Sequence, residues 1–204
     1  MPRQIAKDKI VDAVVRGVED SQHFYEQCSG DCWLWEAPEY LLSTSVAKRL
    51  HKLKGAKYVT LESNVHHMLK DAQATTLGAP KKSLRKNGRF DAVVWWGNGS
   101  PRAAVELKNN VWSYFQLRKD VKRINSVVQQ NKNDSSFQFG LVAFYASCMD
   151  STRTKARKQL EQRTQTLLQR VKEDVSEGIS VTMTRGAIHV VEDSAWVATC
   201  FVLE

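Results

Sequence analysis

The sequence predicts an α/β fold with helices covering both faces of a central sheet. Three observations predict it. From Pro38 to Ser147, segments of helical and of strand character follow one another as helix, three strands, helix, strand. Two apolar runs, Phe90–Trp96 and Ala103–Leu107, are separated by Gly97-Asn98-Gly99-Ser100-Pro101, residues that break regular structure and join two strands. Phe137–Ser147, FQFGLVAFYAS, is a continuous apolar run suited to the centre of a sheet buried on both faces.

Each element has its own reason. Ile10, Val14 and Val18, with Val11 and Val15 beside them, predict a short amphipathic helix from Ile5 to about Val18. HFYEQCSGDCWLWEAP follows, and reads as a packed aromatic loop with free thiols at Cys28 and Cys32. With His23 these thiols resemble half of a zinc site, but neither Cys148 nor Cys200 has a nearby partner to complete it. Pro38 to Leu53 is the stronger helix: Pro38 suits the first turn and Leu42, Val46, Leu50 and Leu53 form a core stripe. Glu39 falls on the core-facing side at its start. Lys57–Ser63 alternates as a half-buried strand, and Glu62 reads as a strand-edge charge, with a further metal-site acid as the alternative. His66 and His67 read as surface or loop residues.

Leu117, Val121, Ile124 and Val128 make Tyr114 to Gln130 an amphipathic helix, flanked by Gln116, Lys119, Asp120 and Arg123. Ser151 to about Val175 is a long polar helix with Leu160, Leu167, Val171 and Val175 as its apolar side. Arg153, Lys155, Arg157 and Lys158 crowd its start, where cations oppose the helix dipole; a nucleic-acid backbone would favour them there, with simple solvation as the alternative. The tail resembles a β-meander of ISVTMT, AIHVV and AWVATCFVL that extends or covers the sheet, with His189 as a packed residue.

The chemistry concentrates in Gly88–Asn110. If the two strands pair antiparallel about their turn, Asp91 at the start of the first meets Glu106 at the end of the second. Side chains alternate along a strand, so Glu106 and Lys108 share a face while Leu107 points to the other. Two carboxylates and an ammonium then converge at the end of an apolar hairpin, where charges persist only if they serve one another or a bound cation. Two carboxylates are a sufficient protein contribution to Mg²⁺, which keeps waters and takes phosphate oxygens. Such a cation activates water and neutralises charge on a phosphate, and a lysine beside it stabilises the transition state. The chemistry this predicts is metal-assisted phosphodiester hydrolysis.

Asp91, a turn, then Glu106-Leu107-Lys108 resembles the signature of the PD-(D/E)XK nuclease superfamily, with Phe90 where the family has proline. The resemblance implies a restriction-endonuclease-like α-β-β-β-α-β core with a mixed central sheet, matching the order read above. The N-terminal helix and the C-terminal helix and meander would be additions. It implies Asp91, Glu106 and Lys108 as catalytic residues, Asp91 and Glu106 as ligands of Mg²⁺ or Mn²⁺, and Glu39 as an acid contributed by the preceding helix, with Glu36 as the fallback. It further implies Gln116, on the first turns of the next helix, as a substrate contact.

Composition agrees with a nucleic-acid partner. The chain of 204 residues carries a formal net charge of +8, which favours polyanions. Lys81, Lys82, Arg85, Lys86 and Arg89 form an acid-free run leading into Asp91, placed to hold phosphates without reading sequence. No apolar run approaches the roughly 18 residues of a membrane span, and the start of the chain lacks the apolar core of a signal peptide. Four cysteines without dense spacing suit a reduced, cytoplasmic protein. The expectation is therefore one domain over residues 1–204, with a core at about 38–147, acting as a Mg²⁺-dependent endonuclease on DNA. A homodimer would serve cutting of two strands. The alternative is an inactive nucleic-acid-binding module whose acidic cluster is structural and satisfied by Lys108 and Arg89.

Overall fold

The computed structural model describes residues 4–73, 88–130, 135–151 and 154–204. In chain order the elements are α1 (Lys7–Ser29), a 3-10 turn (Leu34–Glu36), α2 (Tyr40–Lys52), β1 (Lys57–Asn64), α3 (Val65–Asp71), β2 (Arg89–Trp96), β3 (Pro101–Lys108), α4 (Tyr114–Val128), β4 (Phe139–Met149), α5 (Ala156–Asp174), β5 (Val181–Arg185), β6 (His189–Val191) and β7 (Ser194–Leu203). The strands make one mixed seven-stranded sheet in the order β1-β2-β3-β4-β7-β5, with β6 also paired to β7. Among the described residues no helix is long and apolar enough to cross a membrane.

The sheet is mixed for a chain-length reason. β1, β2 and β3 are consecutive antiparallel strands, whereas β3 and β4 run parallel. Parallel neighbours need a crossover, and α4 supplies it. The sheet is buried on both faces. Leu117, Val121 and Ile124 of α4 and Leu160, Leu167 and Val171 of α5 pack on one face with Ala104, Val142 and Phe144. Ile10, Val14 and Val18 of α1 and Leu42, Val46 and Leu50 of α2 pack on the other with Val105, Leu107 and Leu141. β4 is apolar throughout its first eight residues because both of its faces meet helices.

Two expectations need correction. The first helix does not stop near Val18 but runs on to Ser29, absorbing the histidine and aromatic residues read as a loop. Ser21 and Gln22 are wholly buried and each keeps a partner: Ser21 donates to the Gly17 carbonyl, and Gln22 accepts the Leu34 N–H of the 3-10 turn. Gly30, at φ 73°, ends it in the left-handed conformation that favours glycine. His66 and His67 are exposed, as expected, and lie in the first turn of the short helix α3, their backbone N–H groups capped by Asn64 Oδ1 at 2.9 and 3.2 Å. The tail is not a meander. β7 inserts beside β4, while β5 and β6 occupy successive stretches of its other edge. β7 is the long apolar strand and takes the interior place; β5 and β6 are short and half exposed.

At the start of α5 one cation, Lys155, meets an anion of the chain itself that the sequence reading did not assign. Asp150 accepts the Ala156 N–H at 2.8 Å and pairs with Lys155 at 2.6 Å, and the Lys155 hydrogen bond, then that N–H, hold its carboxyl below the usual range. Arg153 lies outside the described residues. His189 stacks on Trp196 with ring centroids 4.0 Å apart, a packed residue as expected.

Helices α1 and α2 matter for the site because they carry Glu39 to it. They touch at Gly17, where a Cβ would lie 2.6 Å from the Val46 Cα, and an Arg49–Asp20 ion pair closes the same interface. Replacing Gly17 with Ala should therefore destabilise the protein by about 1–3 kcal/mol through overpacking, although alanine is the better helix former. Urea denaturation checks this; a variant as stable as wild type would mean the helices separate without cost.

Candidate active site

The hairpin β2–β3 is registered with Ala92 opposite Val105 and Val93 opposite Ala104. One step further, that register sets Asp91 opposite Glu106. Asp91 Oδ2 accepts the Leu107 N–H at 2.6 Å, so its carboxylate takes a hydrogen bond at the end of the ladder. Across β1 the register passes from Leu61 opposite Ala92 to Ser63 opposite Phe90, which leaves Glu62 facing Asp91 without ladder pairing. Glu62 has φ 52°, a left-handed backbone at the edge of the site.

Glu106 is only 3% exposed. Arg123, two turns into α4, reaches it at 2.6 Å and also donates to the Arg89 carbonyl at 3.0 Å. Lys108 Nζ donates to Glu39 Oε1 at 3.0 Å, while Glu39 Oε2 accepts the Asn109 N–H at 3.0 Å. The Asn109 side chain donates to the Leu34 and Ala37 carbonyls at 2.7 and 3.0 Å. Buried Gln22 of α1 in turn accepts the Leu34 N–H at 2.8 Å. Glu39 is therefore fixed by a chain of hydrogen bonds running from α1 through the 3-10 turn to the end of β3.

The electrostatics follow from burial. Desolvation pushes the Asp91 carboxyl up to about 6; the Leu107 N–H opposes this, and the charges of Glu39, Asp120 and Glu62 add to it. Burial raises Glu106 well above the usual carboxylate range, with Arg123 opposing and Asp91 and Asp120 reinforcing. Asp120 of α4 is raised as well, first by desolvation, with Lys108 and Arg123 pulling the other way. For Lys108, burial favours the neutral amine, but the Glu39 hydrogen bond and the Glu39, Asp120 and Asp91 charges outweigh it, so the ammonium is retained.

Compared with protein-family models, curated proteins and solved structures, the chain matches none. The site is therefore judged on its own chemistry. Among the described residues, Asp91, Glu106, Glu39 and Asp120 supply four carboxylates against three cations whose charges act on them, Lys108, Arg123 and Lys119. Fully ionised, the cluster carries uncompensated negative charge in a desolvated place. Hard oxygen donors with an excess of negative charge suit a divalent cation such as Mg²⁺, which asks for one or two carboxylates and keeps waters. Among the described residues no group of three or more His, Cys, Asp and Glu side chains converges to hold a metal, so Asp91 and Glu106 would have to bind it with water and substrate oxygens completing the shell. Cys28 and Cys32 are free thiols at and beyond the end of α1.

Of the residues read from the sequence, Asp91, Glu106, Lys108 and Glu39 come together. Glu36 lies exposed in the 3-10 turn, without a carboxylate contact to Lys108. Gln116 is nearby but committed: its Oε1 accepts from Trp112 N and Ser113 N at 2.9 and 3.1 Å, and its Nε2 donates to the Asn110 carbonyl at 2.9 Å. It closes the start of α4 instead of presenting an amide to substrate. Arg89 is exposed at the start of β2; Lys81, Lys82, Arg85 and Lys86 lie outside the described residues. Arg123, Asp120 and Asn109 were not assigned roles from the sequence. Asp120 and Arg123 did carry a signal, sitting beside the core stripe on the side that folds back over Glu106.

Two outcomes follow for the metal-free protein. Asp91 ionises at higher pH folded than unfolded, so the cost of its charge is absent below about pH 4 and fully developed above about pH 6. Asp91→Asn should thus raise stability in EDTA at about pH 8 by on the order of 1–3 kcal/mol, with the gain fading towards about pH 4. Urea denaturation across that range measures it, and a loss of stability at the higher pH would show the carboxylate to be compensated. Arg123→Met should cost about 3–5 kcal/mol by leaving Glu106 buried without its partner, and adding Glu106→Gln should recover part of that loss. No recovery in the double variant would place the cost of Arg123→Met elsewhere.

Proposed function

We propose that this chain is a metal-dependent nuclease of restriction-endonuclease-like topology that hydrolyses phosphodiester bonds, in DNA by preference. The observation that carries the reading is the juxtaposition of Asp91 and Glu106 at the end of an apolar hairpin, with the Lys108 ammonium two residues along β3. The arrangement of α2, β1, β2, β3, α4 and β4, antiparallel through β3 and parallel from β3 to β4, supports it.

The chain's own groups divide the work. Asp91 and Glu106 would hold a Mg²⁺ or Mn²⁺ ion, which when bound polarises a phosphate oxygen and lowers the pKa of a water. Lys108 stays charged, so its part is to neutralise the developing negative charge at the phosphate and to orient the attacking water, and not to accept a proton. Glu39 holds the ammonium in place and Asn109 holds Glu39, so both act as positioning residues. Arg123 satisfies one oxygen of Glu106. Arg89, together with the acid-free run Lys81, Lys82, Arg85 and Lys86 that precedes it in sequence, would bind the backbone as phosphate-holding cations.

One observation favours a second reading. The Arg123–Glu106 and Lys108–Glu39 pairs already satisfy two carboxylates, as they would in an inactive nucleic-acid-binding module with a structural cluster. Metal separates the two. Purified protein is incubated with circular DNA, linear DNA and RNA in Mg²⁺, Mn²⁺ or EDTA, beside the Lys108→Ala variant. The nuclease reading expects cleavage that needs the metal and falls by at least about a thousandfold in a folded Lys108→Ala protein. Wild-type turnover in that variant would sink the role given to Lys108, and no cleavage by folded wild type would favour the binding module.

A further inference from the structure

The rim of the candidate site carries exposed aromatic rings. Trp35, Tyr40, Trp112 and Phe115 are 49%, 73%, 61% and 80% exposed. They belong to two segments that the site itself ties together. Trp35 lies in the 3-10 turn whose Leu34 carbonyl accepts from Asn109, and Tyr40 directly follows Glu39, the partner of Lys108 and Asn109. Trp112 and Phe115 lie on the loop after β3 and the first turn of α4, held by the Asn110, Trp112 and Ser113 hydrogen bonds to Gln116. Four residues of chain put the Trp112 Cα within about 14 Å of the Lys108 Cα.

Burial alone gives no reason for four large rings to stay in water here. An interface with another protein would favour a contiguous apolar patch. Along the chain Trp35 and Tyr40 are separated by Glu36, Ala37, Pro38 and Glu39, and Trp112 and Phe115 by Ser113 and Tyr114; exposed Lys119 lies one turn beyond Phe115, while Arg118 pairs with Asp174 at 3.6 Å. Exposed ring faces next to carboxylates and an ammonium suited to a phosphodiester match a polyanion that also offers flat apolar surfaces. Unpaired nucleobases have that chemistry; in a duplex the same faces are stacked inside.

We infer that Trp35, Tyr40, Trp112 and Phe115 form a stacking platform for unpaired bases, so that the strand reaching Asp91, Glu106 and Lys108 is single-stranded nucleic acid. The inference rests on the nuclease reading for the identity of the neighbouring site, but its test does not require cleavage. Binding of a labelled oligo-dT of about 20 nucleotides, an oligo-U of the same length and a mixed-sequence DNA duplex is followed by fluorescence anisotropy in EDTA at fixed salt. The proteins compared are wild type, Trp112→Ala/Phe115→Ala, Trp35→Ala/Tyr40→Ala, and Phe115→Tyr and Phe115→Leu as ring-keeping and ring-losing replacements.

The platform predicts single strands bound at least about tenfold tighter than duplex, with each double variant losing about tenfold of that affinity while duplex binding barely moves. Tyr at position 115 should preserve binding and Leu should not. The two oligonucleotides decide whether the strand is DNA or RNA. Duplex bound as tightly as single strands, or double variants that bind single strands as wild type does, would overturn the inference. So would sedimentation showing a wild-type dimer that dissociates in the double variants with oligonucleotide binding unchanged, since the rings would then serve a second copy of the chain. Cleavage without single-strand preference removes the platform and leaves the nuclease. Single-strand preference without cleavage removes the nuclease and leaves the platform.

Discussion

The constraint on which the site depends is the burial of like charges at the end of the β2–β3 hairpin. A carboxylate as enclosed as Glu106 is costly, and Asp91 beside it makes both harder to ionise. The surroundings can be understood as answers to that cost. Arg123 comes down from α4 to one carboxylate, the Leu107 N–H turns to the other, and Lys108 is held charged between Glu39, Asp120 and Asp91. Among the described residues the compensation is incomplete, and both carboxyls stay above their usual range.

Each face of the sheet contributes to this balance. The helix layer of α4 and α5 delivers Arg123 and Asp120; the layer of α1 and α2 delivers Glu39. The two deliveries meet only at the C-terminal end of β3, where the strand leaves the sheet and side chains from both faces can reach one another. Asn109 is the hinge pin of that meeting, because its side chain and its backbone N–H bind the same incoming segment at Leu34, Ala37 and Glu39. The exposed rings of Trp35, Tyr40 and Trp112 ride on the same two segments, so whatever positions the acids also positions them.

Much of this was legible in the chain, and the misses have local causes. The core stripe of α4 and the apolar run of β4 were plain because periodicity survives wherever one face is uniformly buried. The extent of α1 was hidden because Ser21 and Gln22 interrupt the apolar pattern, and only their hydrogen bonds to the Gly17 carbonyl and the Leu34 N–H explain burying them. The apparent meander failed for a different reason: adjacent strands in sequence suggest adjacent strands in space, but β7 is the apolar one and displaces its neighbours to the edge. Gln116 looked available from its place on the first turn of α4. Its amide is instead consumed by backbone groups at the start of the same helix.

The sequence by itself determined the α/β class, the strand–turn–strand unit and the meeting of Asp91 with Glu106, because register across a short turn is fixed by local chemistry. Tertiary structure alone decided that Glu39, and not Glu36, pairs with Lys108, that Arg123 guards Glu106, and that Asn109 ties α2 to the sheet. These partners are separated by 69, 17 and 70 residues of chain. No periodicity links such positions; only the packing of two helix layers on one sheet end brings them within hydrogen-bond reach.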